Sequence, residues 1–465
     1  MAQSDDVTAP WDGERLGSVD LVDGTAVENA LAKAHDLYQN RSGWIPLAER
    51  IEILHRLAAM ITDRREELAL LAASEGGKPL PDSFVEIDRG ADGINCCIEA
   101  VRAEGGYVVP MGLNAGSQGR IAFTQKEPIG PVVAVSAFNH PFNLIIHQVA
   151  PAVAAGCPVM VKPADVTPLS CLKIVEMFAE AGLPPEWCQV VMPESLDLAT
   201  KLVTDERVGF FSFIGSARVG WMLRSLLAPG TRCALEHGGA APVIVAADAD
   251  FDDMMPLLAK GGFYHAGQVC VSVQRVFADK AIARNVADNM GTKAKAMKVG
   301  DPRLADTEVG PLIRHGEADR VEAWVEEAVD GGAELISGGN RLSESCYEPT
   351  VLYNPPAEAK VSQMEIFGPV VCVYPTETME EGVKRANALP FAFQSSVFTT
   401  NIDNAMKAYR GLDASAVMVN DHTAFRVDWM PFAGLRQSGH GVGGIGHTVE
   451  DMQIDKMMVI RSKSL

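Results

Sequence analysis

The decapeptide Gly261–Cys270, GGFYHAGQVC, ends in a single cysteine. An acidic, apolar-patterned segment, 250–259, precedes it, and a β-branched run, 271–277, follows. The pattern places Cys270 where a helix gives way to a strand, with Gly261, Gly262 and Gly267 on its approach. Glycines carry no side chain, so a ligand or another backbone can come close there. A cysteine so placed is a candidate nucleophile. The plainer reading is a buried thiol, because free cysteine is among the most buried residue types. The decapeptide alone favours that plainer reading. His265, five residues before Cys270, would suit a cysteine–histidine hydrolase pair, a weaker reading.

Four further signatures close apolar strands earlier in the chain: Phe138-Asn139-His140-Pro141, Lys162-Pro163-Ala164-Asp165, Gly215-Ser216 and Glu236-His237-Gly238-Gly239. Open α/β sheets bind ligands outside the carboxyl ends of their strands. Ser216 stands where a helix starts, and its hydroxyl and the nearby N–H groups suit a pyrophosphate; simple N-capping explains it as well. Lys162 suits a ribose or a solvated surface. Singly these signals are weak, but four strand ends facing one side argue for a crevice. The literal GxGxxG, Gly441–Gly446, follows no strand and opens no obvious helix in the pattern. It reads as a flexible loop, not as a dinucleotide fingerprint.

The elements that must position these residues follow from periodicity. Residues 25–105 read as helices, with 46–74 a single amphipathic helix stopped by Gly76, Gly77 and Pro79. From 131 to 239, short continuous apolar strands alternate with helices, which predicts a doubly wound parallel sheet covered on both faces. From 240 the alternation resumes with longer connections, which predicts a second α/β domain. Strands are expected at 243–246, 273–278, 335–337, 370–374, 396–398 and 416–419. Helices are expected at 281–297, 317–330, 379–388 and 402–410. Residues 118–127 and 456–461 read as exposed strands that pair with each other. The expected division is 1–117 and 131–239 for a nucleotide-type domain, 240–421 for the cysteine domain, 118–130 and 447–465 for a small β arm, and 422–446 for a return segment.

The 465 residues suffice for two or three domains. A net charge of −20 and a pI of about 4.9 argue against nucleic acid or an anionic membrane surface as partner. The acidic start MAQSDDVTAPWDGERLG is unlike a secretory or transit peptide, so a cytoplasmic location is expected. No apolar stretch is long enough for a membrane span. Nine cysteines without CxxC or Cys/His spacing point to reduced thiols, with no disulfide framework and no metal site.

In order along the chain, FNHP at 138–141, KPADVTP at 162–168, GS at 215–216, EHGG at 236–239, GQVC at 267–270, EIFGP at 365–369 and PFAGLRQSG at 431–439 resemble the aldehyde dehydrogenase superfamily. The resemblance covers nearly the whole chain. It is nearest in look to the branch of lactaldehyde, non-phosphorylating glyceraldehyde-3-phosphate and phosphonoacetaldehyde dehydrogenases. Departures stand at His237 and Ala240, where the family usually has leucine and lysine, and at Ala433, where it usually has glycine. The resemblance implies an NAD(P)-dependent enzyme in which Cys270 adds to an aldehyde and Asn139 helps hold the oxyanion. Glu236 then activates the water that hydrolyses the thioester. It implies that Lys162, Asp165, Gly215, Ser216, Glu365 and Phe367 bind the cofactor, NAD with NADP as the alternative.

His140 and Arg426 are the candidates to face the substrate, with an Arg426–Asp428 ion pair as the structural alternative. Val269, directly before the cysteine, stands where relatives acting on phosphorylated or phosphonate aldehydes often carry arginine. A short polar aldehyde such as lactaldehyde, glyceraldehyde or a semialdehyde is therefore expected. The family's assembly through a strand arm implies a homodimer or homotetramer. Competing readings are a CoA-acylating aldehyde dehydrogenase, which tends to lack the glutamate kept here as Glu236, a non-redox cysteine esterase or hydrolase, and a silent structural homologue.

Overall fold

The computed structural model describes residues 4–464. Two parallel sheets dominate it. In the first, the strands run Arg232–Glu236, Phe210–Ile214, Val132–Val135, Val159–Lys162, Cys188–Val190 across the sheet, all parallel, with the two-residue Gly439–His440 antiparallel at one edge. Val132–Val135 is its earliest strand and lies in the middle. The chain winds outward from it first to one side and then to the other. Its carboxyl end is therefore the switch point at which such sheets leave a crevice.

The second sheet has the order Glu334–Ser337, Thr350–Tyr353, Val370–Thr376, Arg275–Asp279, Pro242–Val245, Gln394–Phe398, Ala416–Val419, parallel except for the first strand. Its central strands are buried on both faces, which is why they read as unbroken apolar runs. A third sheet pairs Arg120–Pro128 with Gln453–Arg461 in antiparallel register from Gln453 opposite Pro128 to Arg461 opposite Arg120, with Val108–Val109 on the outer side. No helix among the described residues is long and apolar enough to cross a membrane.

The structure departs from the sequence pattern in several places. The helix expected over 46–74 is two, Leu47–Asp63 and Arg65–Gly76, broken at Arg64. An antiparallel hairpin, Ser4–Thr8 with Arg15–Asp20, and the strand Thr350–Tyr353 carry no expectation. The glycine loop at 441–446 does follow a strand, Gly439–His440, and does open a helix, Ile445–Asp451. That strand is an antiparallel edge of two residues, so the βαβ context of a dinucleotide fingerprint is still missing. The helix itself belongs to the core and not to the arm: Ile445, Val449 and Met452 are fully buried against the helices at 80–103 and 143–155.

One buried ion pair holds the turn that carries the FNHP signature. Glu86, on the helix Leu80–Ala103, accepts hydrogen bonds from the N–H groups of Phe142 and Asn143, both at 2.9 Å. These donors open the helix Asn143–Ala155, so an anion belongs there. The other Glu86 oxygen pairs with Lys78, and both side chains are buried. Removing one member of such a pair strands a charge in a dry interior. Glu86→Ala is therefore expected to lower stability by about 3–5 kcal/mol. Arg65→Ala, which removes an exposed pair with Asp88, should leave the urea midpoint almost unchanged. Equal midpoint shifts for the two variants would remove the special standing of the Glu86–Lys78 pair.

Candidate active site

The two large sheets meet end to end around one cavity of about 600 Å³. The first sheet contributes from the carboxyl ends of its strands. Asn139 and His140 follow Val135, Lys162 ends its strand with Asp165 three residues on, Gly215 and Ser216 follow Ile214, and Glu236 ends the last parallel strand. The second sheet contributes from its amino ends. Cys270 precedes the strand at Arg275, and Glu365 and Phe367 precede the strand at Val370. Arg426, from the return segment, closes the wall. The eleven residues expected to serve catalysis, cofactor or substrate thus line a single cavity.

The approach to Cys270 is a left-handed turn. The helix Phe251–Phe263 ends, and His265, Ala266 and Gly267 follow with φ of 51°, 53° and 68°. Gly267 is required here twice over, because a Cβ on it would also sit 2.1 Å from the Gly368 carbonyl oxygen. Gln268 anchors the turn, donating to the Pro311 carbonyl and accepting from the Ile313 N–H. Its own carbonyl accepts a hydrogen bond from Asn139 Nδ2 at 3.0 Å. That amide is thereby tied to the cysteine loop two residues before the thiol, and its second Nδ2 hydrogen remains for another acceptor. His265 is fully buried, and burial first, then the Lys78 charge, lower its pKa. It stacks edge-on against His140 and makes no ion pair with Cys270.

Burial governs the ionisable groups. It pushes the Cys270 thiol up to about 12, helped by the Glu365 and Glu236 carboxylates and opposed by Arg426. Glu236 is raised by burial and drawn back by Arg426. Glu365 is pushed up to about 8 by burial, against a hydrogen bond from the Gly239 backbone. It presses so closely on the chain that a Cβ on Gly238 would lie 1.6 Å from Oε1. Gly443, in the glycine loop, packs on Glu236 in the same way.

The other end of the cavity fits a dinucleotide. Glu365 Oε1 is buried with no hydrogen-bond partner, as a carboxylate awaiting a sugar hydroxyl would be. Ser216 precedes the helix Ala217–Ser225 without its side chain capping it, so N-capping does not account for the residue. Phe367 meets Phe138 edge-on at 5.8 Å. Lys162 Nζ lies 2.6 Å from Asp165 Oδ1. That pairing reduces the charge with which Asp165 would oppose a 2′-phosphate. His237, the departure beside Glu236, sits 2.8 Å through Nδ1 from the Gly215 carbonyl and braces the same turn.

The alternative of an Arg426–Asp428 ion pair does not hold. Asp428 is taken by Arg89, at 2.6 and 3.1 Å, and by His147 Nε2, at 2.6 Å. Arg426 instead lies flat on Phe432, 3.4 Å from the ring centre. Arg89 and His147 also line the cavity, and neither was foreseen. Arg89 gave no local signal. His147 did give one: a histidine within the apolar run LIIHQVA needs a buried partner.

Residues 2–458 match the model of the family described as "Aldehyde dehydrogenase family". The chain is 37% identical over 434 residues to a 3-sulfolactaldehyde dehydrogenase of Priestia aryabhattai, covering 93% of this chain and 90% of that protein. It superposes on aldehyde dehydrogenase 21 of Physcomitrella patens, solved with the reaction product succinate, with a TM-score of 0.95, 34% identity and coverage of 99% and 95%. It also superposes on a glyceraldehyde-3-phosphate dehydrogenase of Methanocaldococcus jannaschii complexed with NADP, with a TM-score of 0.93, 32% identity and coverage of 99% and 100%. With a family match along nearly its whole length and relatives and structures that are more than 30% identical, this chain belongs to the aldehyde dehydrogenase family and is an NAD(P)-dependent aldehyde oxidoreductase.

Proposed function

We propose that the protein oxidises a short polar aldehyde to its carboxylic acid through a covalent intermediate on Cys270. The observation that carries this reading is the convergence of Cys270, Asn139 and Glu236 on one buried cavity. The Cys270 thiol gives up its proton to solvent, the sulfur adds to the carbonyl carbon, and the carbonyl oxygen takes up the π electron pair. The free Nδ2 hydrogen of Asn139 and the N–H of Cys270 stabilise that oxygen. Lys162, Asp165, Gly215, Ser216, Glu365 and Phe367 would hold NAD(P)+, which would supply the acceptor for the hydride. Glu236 takes a proton from water, the hydroxide adds to the thioester, and the acid leaves as the thiol is restored. The same glutamate disfavours a CoA-acylating reaction, which has no need of a base for water.

For the substrate, Arg426 supplies one cation in the cavity, while Arg89 is matched by Asp428. One such cation without a carboxylate in ion-pair distance suits a hydroxyaldehyde or a monocarboxylate semialdehyde better than a phosphate dianion. The relatives named for sulfolactaldehyde and for succinate as product support small polar substrates. The exposed run Met457, Met458, Val459 and Ile460 on the long arm strand supports assembly of copies through that arm.

Glu236→Gln tests the hydrolytic step. At high enzyme concentration it should form about one reduced cofactor per site in a burst and then stall, because acylation proceeds and hydrolysis does not. Loss of the burst as well would assign Glu236 to an earlier step. The thiol itself gives a second test. Burial and the neighbouring carboxylates oppose its ionisation, so without cofactor the alkylation of Cys270 by iodoacetamide should keep accelerating as pH rises past 9. A plateau reached below pH 8 would contradict the dry environment described for Cys270.

A further inference from the structure

Four charged or polar side chains from distant parts of the chain form a line into the cavity. Arg89 comes from the helix Leu80–Ala103, His147 from the helix Asn143–Ala155, and Arg426 and Asp428 from the return segment. Asp428 is a buried carboxylate; burial alone would raise its pKa, but His147 and Arg89 outweigh that and hold it far below the usual carboxylate range. It is therefore an acceptor only, and the His147 Nε2 at 2.6 Å must carry the proton. Burial keeps the ring neutral, so its lone pair lies on Nδ1. That atom faces Arg426 Nη2 at 3.4 Å.

We propose that Asp428 and His147 are positioning residues that aim the Arg426 guanidinium at the substrate's anionic end while leaving its charge unneutralised. The chemistry of the line explains the arrangement. An aspartate placed directly on Arg426 would orient it but would also cancel its charge. A neutral imidazole between them transmits the orientation through two hydrogen bonds and cancels nothing. The charge of Asp428 is met on its other side by Arg89, bidentately. Arg426 is then held by a ring face and one lone pair: Phe432 beneath it and His147 at its edge. Its Nε is buried without a partner, and among the described residues no carboxylate lies within ion-pair distance of it. A desolvated guanidinium so held gains most from a ligand that brings one negative charge, such as an aldehyde carrying one carboxylate.

This inference rests on the reading of Arg426 as a substrate contact, and a double-mutant cycle separates the two. The measured quantity is the ratio of kcat/KM for succinic semialdehyde to that for propanal, in wild type, Arg426→Ala, His147→Phe, His147→Gln and Arg426→Ala/His147→Phe. His147→Phe should lower the ratio about tenfold, through KM for the semialdehyde. His147→Gln should restore most of it, because a glutamine can donate to Asp428 and accept from Arg426. In the Arg426→Ala background the phenylalanine should have no further effect on the ratio. The same loss in both backgrounds, or no recovery with a glutamine variant of wild-type thermal midpoint, overturns the positioning role. An Arg426→Ala ratio equal to that of wild type overturns the substrate reading instead, and the inference with it.

Discussion

Three acids, Cys270, Glu236 and Glu365, line one crevice, and the ionisation of each is resisted by burial. This desolvation is the constraint on which the site depends. It opposes ionisation of the Cys270 thiol, and it raises the proton affinity of Glu236, as the hydrolytic role proposed for that residue requires. Arg426 opposes the carboxylates from one side and lowers the cost of a negative charge at both Cys270 and Glu236. Its neighbours are the Phe432 ring and the His147 imidazole, neither of which cancels its charge.

The fold builds the crevice by joining two sheets in opposite senses. Carboxyl ends of the first sheet bring Asn139, Lys162, Ser216 and Glu236; amino ends of the second bring Cys270 and Glu365. The bond from Asn139 to the Gln268 carbonyl stitches the two contributions together. Behind it, the Glu86–Lys78 pair fixes the helix start that follows Asn139.

Much of this was legible in the sequence, for particular reasons. Glu236, Ser216 and Lys162 end apolar strands or sit just past them, and strand ends are where such sheets present ligand groups. Glu365 and Phe367 needed the family resemblance, because nothing local marks them; Cys270 was marked by the glycines on its approach, but those alone favoured a buried thiol. Arg89 was illegible: its partner Asp428 is 339 residues away and only packing brings them together. The break at Arg64 was missed because no glycine or proline marks it, and the amphipathic period runs on across it. The glycine loop misled in the other direction. Its motif read as mere flexibility, whereas Gly443 packs so closely on Glu236 that a Cβ there would lie 2.1 Å from Oε1.

The central claim is that the substrate becomes covalently attached to Cys270 and is released by water acting with Glu236. Peptide mass mapping of Glu236→Gln tests it most directly. The variant is mixed with an aldehyde and NAD+, quenched in acid within the burst, and digested. The account predicts the acyl mass on the peptide that contains Cys270, in an amount matching the reduced cofactor formed. Reduced cofactor without an adduct, or an adduct on any of the other cysteines, would contradict it.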